Sequence, residues 1–213
     1  VYAHDIAKLP SWEQHVWAAY NIVPEGKVSA ELLASQVRTQ PASTHAVEDL
    51  LFKVMRKLER DFHQKLDVDL FSYDINDIEL SQQISRFIST DRASLLRLAK
   101  ELVRIFTDRL NVKALRNISN HKDKEKLGSN KLLQDIVAQE TGDDNAYKIF
   151  GVIIGVYDMR LGDAHPTSSK IGDALNLAGI DENKSFLRQG EQLISNFGQA
   201  IWHIGQSIFR KSE

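Results

Sequence analysis

Apolar residues recur at three- and four-residue steps along nearly the whole of this chain, the spacing of a helix face, and a chain so patterned has little with which to build a sheet. Ser11 can cap a first helix, with Gln14 at the capping-box position and Trp12, Val16, Trp17 and Tyr20 on one face. Pro24-Glu25-Gly26 reads as a turn. Ser29 opens a short helix carrying Leu32, Leu33 and Val37, which the run around Pro41 breaks. From Thr44 to Leu66 a long helix places Val47, Leu50, Leu51, Val54, Met55, Leu58 and Phe62 in one stripe.

Residues Leu66 to Tyr73 alternate apolar and acidic positions, as a short strand or a loop would. A strong helix is expected from Asp91 to Leu110. The lysine-rich stretch from Lys113 to Lys131 reads as a short helix and a loop, interrupted by Gly128. Leu132, Leu133, Ile136 and Val137 make a brief helix ending near Gly142. The segment from Asn145 to Leu161 is apolar on most sides, which predicts a helix in the middle of the fold. Within it, Gly151 and Gly155 would let a neighbouring helix approach closely. Ser168 or Ser169 starts a further helix that stops at Gly179, and Ser185 to Phe209 forms the last one.

The expected fold is therefore all-α, a multi-helix bundle. The best seam lies near Ser89-Thr90-Asp91. It divides the chain into an N-terminal helical lobe over residues 1–90 and a self-sufficient helical bundle over residues 91–213.

Composition narrows the function classes. The 213 residues can bury a sizeable core. With 42% hydrophobic and 26% charged residues, the chain reads as a folded soluble protein rather than a disordered one. The formal net charge of −2 makes the whole molecule no electrostatic nucleic-acid binder, so any RNA contact needs a local basic patch. The chain holds no cysteine, which excludes disulfides, thiolate nucleophiles and thiolate zinc sites. No stretch of about 20 apolar residues is present to span a membrane, and no signal pattern opens the sequence. A cytoplasmic location is expected. Because the sequence opens on Val1 rather than methionine, a fragment of a longer chain is expected too.

The usual catalytic signatures are missing: there is no phosphate loop, no dinucleotide glycine motif, no His-Glu-x-x-His and no Gly-x-Ser-x-Gly. The seven histidines are scattered singly, which predicts no metal site and no cofactor. What remains is Arg160-Leu161-Gly162-Asp163-Ala164-His165, an arginine and a histidine five positions apart where the buried-helix pattern meets Pro166. A second copy of the spacing runs from Arg116 through Asn117 to His121.

The residue types suit metal-free RNA cleavage. A base must take the proton of the attacking 2′-hydroxyl and an acid must protonate the leaving 5′-oxygen, and histidine titrates in the right range for either task. Arginine offers a permanently charged planar fork to the phosphate. Spacing sets a condition, because residues five apart on a continuous helix diverge by roughly 140°. The helix must therefore end between them. Gly162 supplies a natural break, and Pro166 forces the residue before it out of helical geometry. The bland alternative is a surface arginine paired with Asp158 or Asp163 and a histidine capping the last carbonyls.

This spacing in a compact helical bundle resembles the HEPN superfamily, whose members often carry an arginine followed four to six residues later by a histidine. The resemblance covers roughly Asp91 to the C-terminus and implies a metal-independent endoribonuclease, of the kind found in bacterial antiviral defence and toxin systems. It also implies a homodimer in which two such motifs face each other across one cleft. Arg160 would then stabilise the phosphate charge, His165 would act as general acid and base, and Asp163 would orient one of them. Asn117 matches the polar residue that often follows the family arginine, whereas Leu161 departs from it. Arg116, Asn117, His121, Lys122 and Lys124 are the expected RNA contacts, unless both pairs line one cleft or the lysines are a solvated loop. Trp12, Trp17 and Trp202 read as core or interface anchors, His203 as a partnered packing histidine, and Tyr157 as a core residue that can also border the cleft. The rival expectation is a non-catalytic helical interaction or dimerisation module of a larger protein.

Overall fold

Periodicity translates into helices almost element for element. The computed structural model describes residues 6–19, 46–73, 84–162 and 170–209. Among them are eight α-helices and no strand longer than one isolated bridge. They are α1 (Ser11–Ala19), α2 (Val47–Leu66), α3 (Arg92–Ile105), α4 (Val112–Ile118), α5 (Ser129–Thr141), α6 (Asp143–Gly162), α7 (Lys170–Leu177) and α8 (Phe186–Phe209). Single turns of 3-10 helix cover Arg86–Ile88, Thr107–Arg109 and Lys124–Lys126. No described helix is long and apolar enough to cross a membrane. The turn and short helix expected between Pro24 and Pro41 lie outside the described residues.

The chain divides into two compact units, Val1–Thr44 and His45–Glu213. In the first, α1 begins at Ser11 itself, so Ser11 is its first residue and not its cap. Gln14 Nε2 reaches back to donate to the Leu9 carbonyl at 2.7 Å. Trp12 and Trp17 are exposed there, not core anchors.

The seam expected near residue 90 falls inside the second unit. The reason is the α2 stripe, in which Leu51, Met55, Leu58 and Phe62 are all buried, with α2 lying along α8. Arg86 reinforces the join: its backbone N–H donates to Glu48 Oε1 at 2.8 Å, and its side chain pairs with Glu191 at 3.6 Å. Gly190 admits this segment, since a Cβ there would stand 2.7 Å from Ser89 Cβ. The α2 stripe thus belongs to the bundle because α8 covers it.

At the centre stands α6, which packs against α3, α5, α7 and α8. Phe150, Ile153, Val156 and Met159 are wholly buried, as expected of a helix apolar on most sides. Gly155 allows the closest approach, because a Cβ there would lie 2.6 Å from the Ala178 backbone nitrogen and 2.7 Å from the Ala174 carbonyl oxygen on α7. Gly151, by contrast, faces open space. Asp91 caps α3 through a capping box, accepting from the Ser94 N–H at 2.8 Å, and these bonds hold its carboxyl below the ordinary carboxylate range.

α3 is shorter than its pattern. It ends at Ile105 rather than Leu110, because Arg109 is buried and turns back into the bundle. Its guanidinium donates to the Tyr73 carbonyl from Nη2 at 2.7 Å and from Nε at 3.1 Å, and to the Ile105 carbonyl at 3.3 Å, while lying over the Phe71 ring. Phe71 and Leu110 form the isolated antiparallel bridge, so the alternating segment ending at Tyr73 is an extended loop pinned at one point. This small arginine-centred lock fixes the 3-10 turn Thr107–Arg109.

Candidate functional site

Arg160 stands in the last turn of α6, which ends at Gly162. Residues 163–169, where the expected break would show, lie outside the described residues, and with them His165 and Asp163, the other two catalytic candidates.

Among the described residues the partner of Arg160 is not Asp158, and Asp163 lies outside them. The partner is Asp108, fifty-two positions earlier, on the 3-10 turn that Arg109 locks. Arg160 Nη1 donates to both carboxylate oxygens, at 2.9 and 3.0 Å. Each side chain is about one-third exposed, so the pair is a half-solvated ion pair and not a buried one. The Arg160 guanidinium also lies 5.9 Å from the centre of the Tyr157 ring, the residue one turn earlier, which is part-exposed at the surface rather than in the core. Among the described residues, Nε and Nη2 of Arg160 meet no acceptor. That outer edge of the fork has the geometry to take two oxygens of a phosphate.

The Asp108 turn is held from several sides. Ser72 N–H donates to the Arg109 carbonyl at 2.8 Å, and Ser129 Oγ donates to the Thr107 carbonyl at 3.3 Å. Thr107 itself is buried. Nothing in the local sequence marks Asp108 as a site residue, because its significance lies wholly in which helix end it faces.

The second Arg-x4-His copy straddles a helix end, since α4 stops at Ile118 and Ser119 takes extended geometry. The two side chains have separate tasks, however. Arg116 Nη2 donates to the Glu125 carbonyl at 3.0 Å and Nη1 pairs with the Glu125 carboxylate at 3.5 Å, while its Nε is buried without a partner. His121 accepts the Asp123 N–H at Nδ1, 3.1 Å away. Ser119 is buried, donates to Asp135 Oδ2 at 2.7 Å, and receives the His121 N–H at 3.2 Å. Lys124 donates to the Ser119 carbonyl at 3.1 Å, and Lys126 pairs with Asp123. Arg116, His121 and Lys124, three of the expected RNA contacts, thus tie the loop to itself, and Ser119 ties it to α5. Asn117, in the last turn of α4, and Lys122, on the loop, are both exposed.

His121 lines a groove of about 520 Å³ with Lys131, Asp135, Asp143, Asp144 and Tyr147, over an apolar floor that includes Leu127 and Ala146. Arg116 is not among its lining residues. Three carboxylates against one ammonium give this groove the wrong sign for a phosphate chain. A second, apolar groove of about 210 Å³ runs between α2 and α8, lined by Val47, Leu50, Val54 and Trp202. Leu50 and Trp202 are exposed there, and His203 packs edge-on against Trp202 at 4.9 Å. Among the described residues no group of three or more histidine, aspartate or glutamate side chains could hold a metal ion. No protein-family model, curated protein or solved structure matches the chain.

Proposed function

We propose that the second unit is a HEPN-like domain that cleaves RNA without a metal, with Arg160 and His165 as its catalytic residues. One observation carries the reading. Arg160 lies in the last described turn of the buried α6, with Nη1 of its guanidinium anchored and the Nε–Nη2 edge lacking any acceptor among the described residues. Such an edge is suited to the equatorial oxygens of a phosphorane.

In the proposed step the 2′-oxygen forms a bond to phosphorus and the bond from phosphorus to the 5′-oxygen breaks, leaving a 2′,3′-cyclic phosphate. The 2′-hydroxyl proton goes to a neutral imidazole, and an imidazolium returns a proton to the 5′-oxygen. His165 fills one of these roles in each chain of a proposed homodimer, Asp163 orients it, and Arg160 carries the charge. The proposed setting is cytoplasmic, in bacterial defence or a toxin system. Arg116 and His121 fit this scheme less well, because Glu125 already engages Arg116 and the groove at His121 is acidic.

The test is cleavage of fluorescent single-stranded RNA in EDTA by the wild-type chain and by His165→Ala and Arg160→Ala. The expected result is cyclic-phosphate product from wild type alone. Equal cleavage by all three, or by none, refutes the assignment.

A second reading is a non-catalytic interaction module, favoured by the open apolar groove between α2 and α8. It predicts that Leu50→Glu and Trp202→Glu abolish association in the parent assembly while His165→Ala leaves it intact.

A further inference from the structure

We infer that Asp108 is the positioning residue of this site: it holds Nη1 of Arg160 so that the Nε–Nη2 edge stays aimed outward to bind a phosphate. The inference rests on the proposed chemistry at Arg160, and its own evidence is geometric.

A guanidinium has two edges able to grip a pair of oxygens. In this protein both Asp108 oxygens accept from the single nitrogen Nη1, at 2.9 and 3.0 Å, rather than clasping an entire edge. Had the carboxylate taken Nε together with Nη2, the fork would be closed to any other anion. As placed, it removes the rotational freedom of a long side chain and leaves the outer donors without an acceptor among the described residues. The Tyr157 ring bounds the guanidinium on a second side.

The anchor is itself rigid. Asp108 sits between buried Thr107 and buried Arg109, and the Arg109 fork ties the turn to the Tyr73 and Ile105 carbonyls. A carboxylate so held can orient a side chain on another helix, whereas one on a loose loop would follow it. Asp108 also carries a cost, because its charge lies beside the incoming phosphate. At about one-third exposure water screens that repulsion heavily, and the gain in orientation outweighs it.

The test uses the full chain and two independent readouts, RNA cleavage in EDTA and the side-chain nitrogen NMR signals of Arg160, which are assigned by their loss in Arg160→Lys. Asp108→Ala should lower kcat/KM by about tenfold to a hundredfold, the usual cost of a misplaced catalytic group, with unfolding little changed. Asp108→Asn keeps an acceptor for Nη1 and should recover most of that loss. In the spectra, the Nη resonances resolved in wild type should average in Asp108→Ala. Inorganic phosphate should shift the Nε signal in wild type and shift it less in the variant. Identical spectra for wild type and Asp108→Ala overturn the inference, as does kcat/KM per folded molecule that is unchanged or increased. If wild type cuts no RNA, the nuclease reading fails alone, and the spectra and phosphate titration still decide whether Asp108 orients an anion-binding arginine.

Discussion

Replacing Gly155 and Gly151 by alanine, one at a time, should move stability in opposite directions although the two glycines lie one turn apart on the same helix. A Cβ on residue 155 would meet the Ala178 nitrogen at 2.6 Å, the Ala174 carbonyl oxygen at 2.7 Å and Leu177 Cβ at 2.8 Å. Two of these are backbone atoms of the α7 segment, so no rotamer change relieves the clash. To restore even a tight 3.4 Å contact with the nitrogen, α7 must withdraw by 3.4 − 2.6, about 0.8 Å. That shift would loosen Ala174 and Ala178, which are buried against α6. Overpacking of this kind costs about 3 kcal/mol at a site with no room to yield. The better helix propensity of alanine returns about 1 kcal/mol, leaving a net loss of about 2 kcal/mol. At residue 151 a Cβ meets nothing within 4 Å, so Gly151→Ala keeps only the gain of about 1 kcal/mol. Equilibrium urea unfolding followed by circular dichroism should separate the two variants by about 3 kcal/mol on this arithmetic. In a thermal scan Gly155→Ala should melt about 4–8 °C below wild type. If Gly155→Ala is as stable as Gly151→Ala, the close crossing of α6 and α7 is wrong, and with it the packing that fixes Arg160.

Two further outcomes bear on the same scaffold. Phe197, wholly buried and edge-on to Phe106 at 5.8 Å, should cost about 3–5 kcal/mol when cut to alanine, enough to leave the second unit largely unfolded if its stability is at the low end of the usual range. The Asp91 cap should make stability pH-dependent: its carboxyl is held low, first by the Ser94 hydroxyl and then by the Ser94 N–H, so its contribution is present at neutral pH and lost as pH falls through the folded value. Asp91→Ala should therefore be less stable than wild type at pH 7, and urea midpoints measured across the acid range should converge as pH drops. A gap that stays constant would remove the cap from the account.

Helices were legible because each needs only its own residues. The stripes on α2 and α8, and the all-round apolar pattern of α6, forecast which faces are buried without any knowledge of neighbours. Boundaries failed where a distant residue intervenes. Leu110 continues the apolar period of α3, yet the buried Arg109 seeks the Tyr73 carbonyl and breaks the helix five residues early. The division into units failed for the same reason: the α2 stripe predicts burial but not its partner, and α8, more than a hundred residues on, supplies it. Trp12, Trp17 and Trp202 show the converse limit, since a tryptophan's apolar area says it favours cover and says nothing of whether this chain provides any.

The two Arg-x4-His segments make that limit concrete, because they share spacing and their arginines differ in the partners that spacing does not encode. At Arg116 the nearest anion is Glu125, nine positions on in the loop that follows the helix, and it takes the whole outer end of the side chain through both Nη atoms. Freeing that fork for phosphate would break its bonds to the Glu125 carbonyl and carboxylate. At Arg160 the anion in contact, among the described residues, comes from a separate, independently locked turn and touches one nitrogen only. Opening the remaining edge breaks no bond among the described residues. A local carboxylate therefore turns one arginine into a loop staple, whereas a remote one leaves the other with donors that no described residue takes. The chemical difference between the copies resides in Glu125 and Asp108, neither of which belongs to the motif.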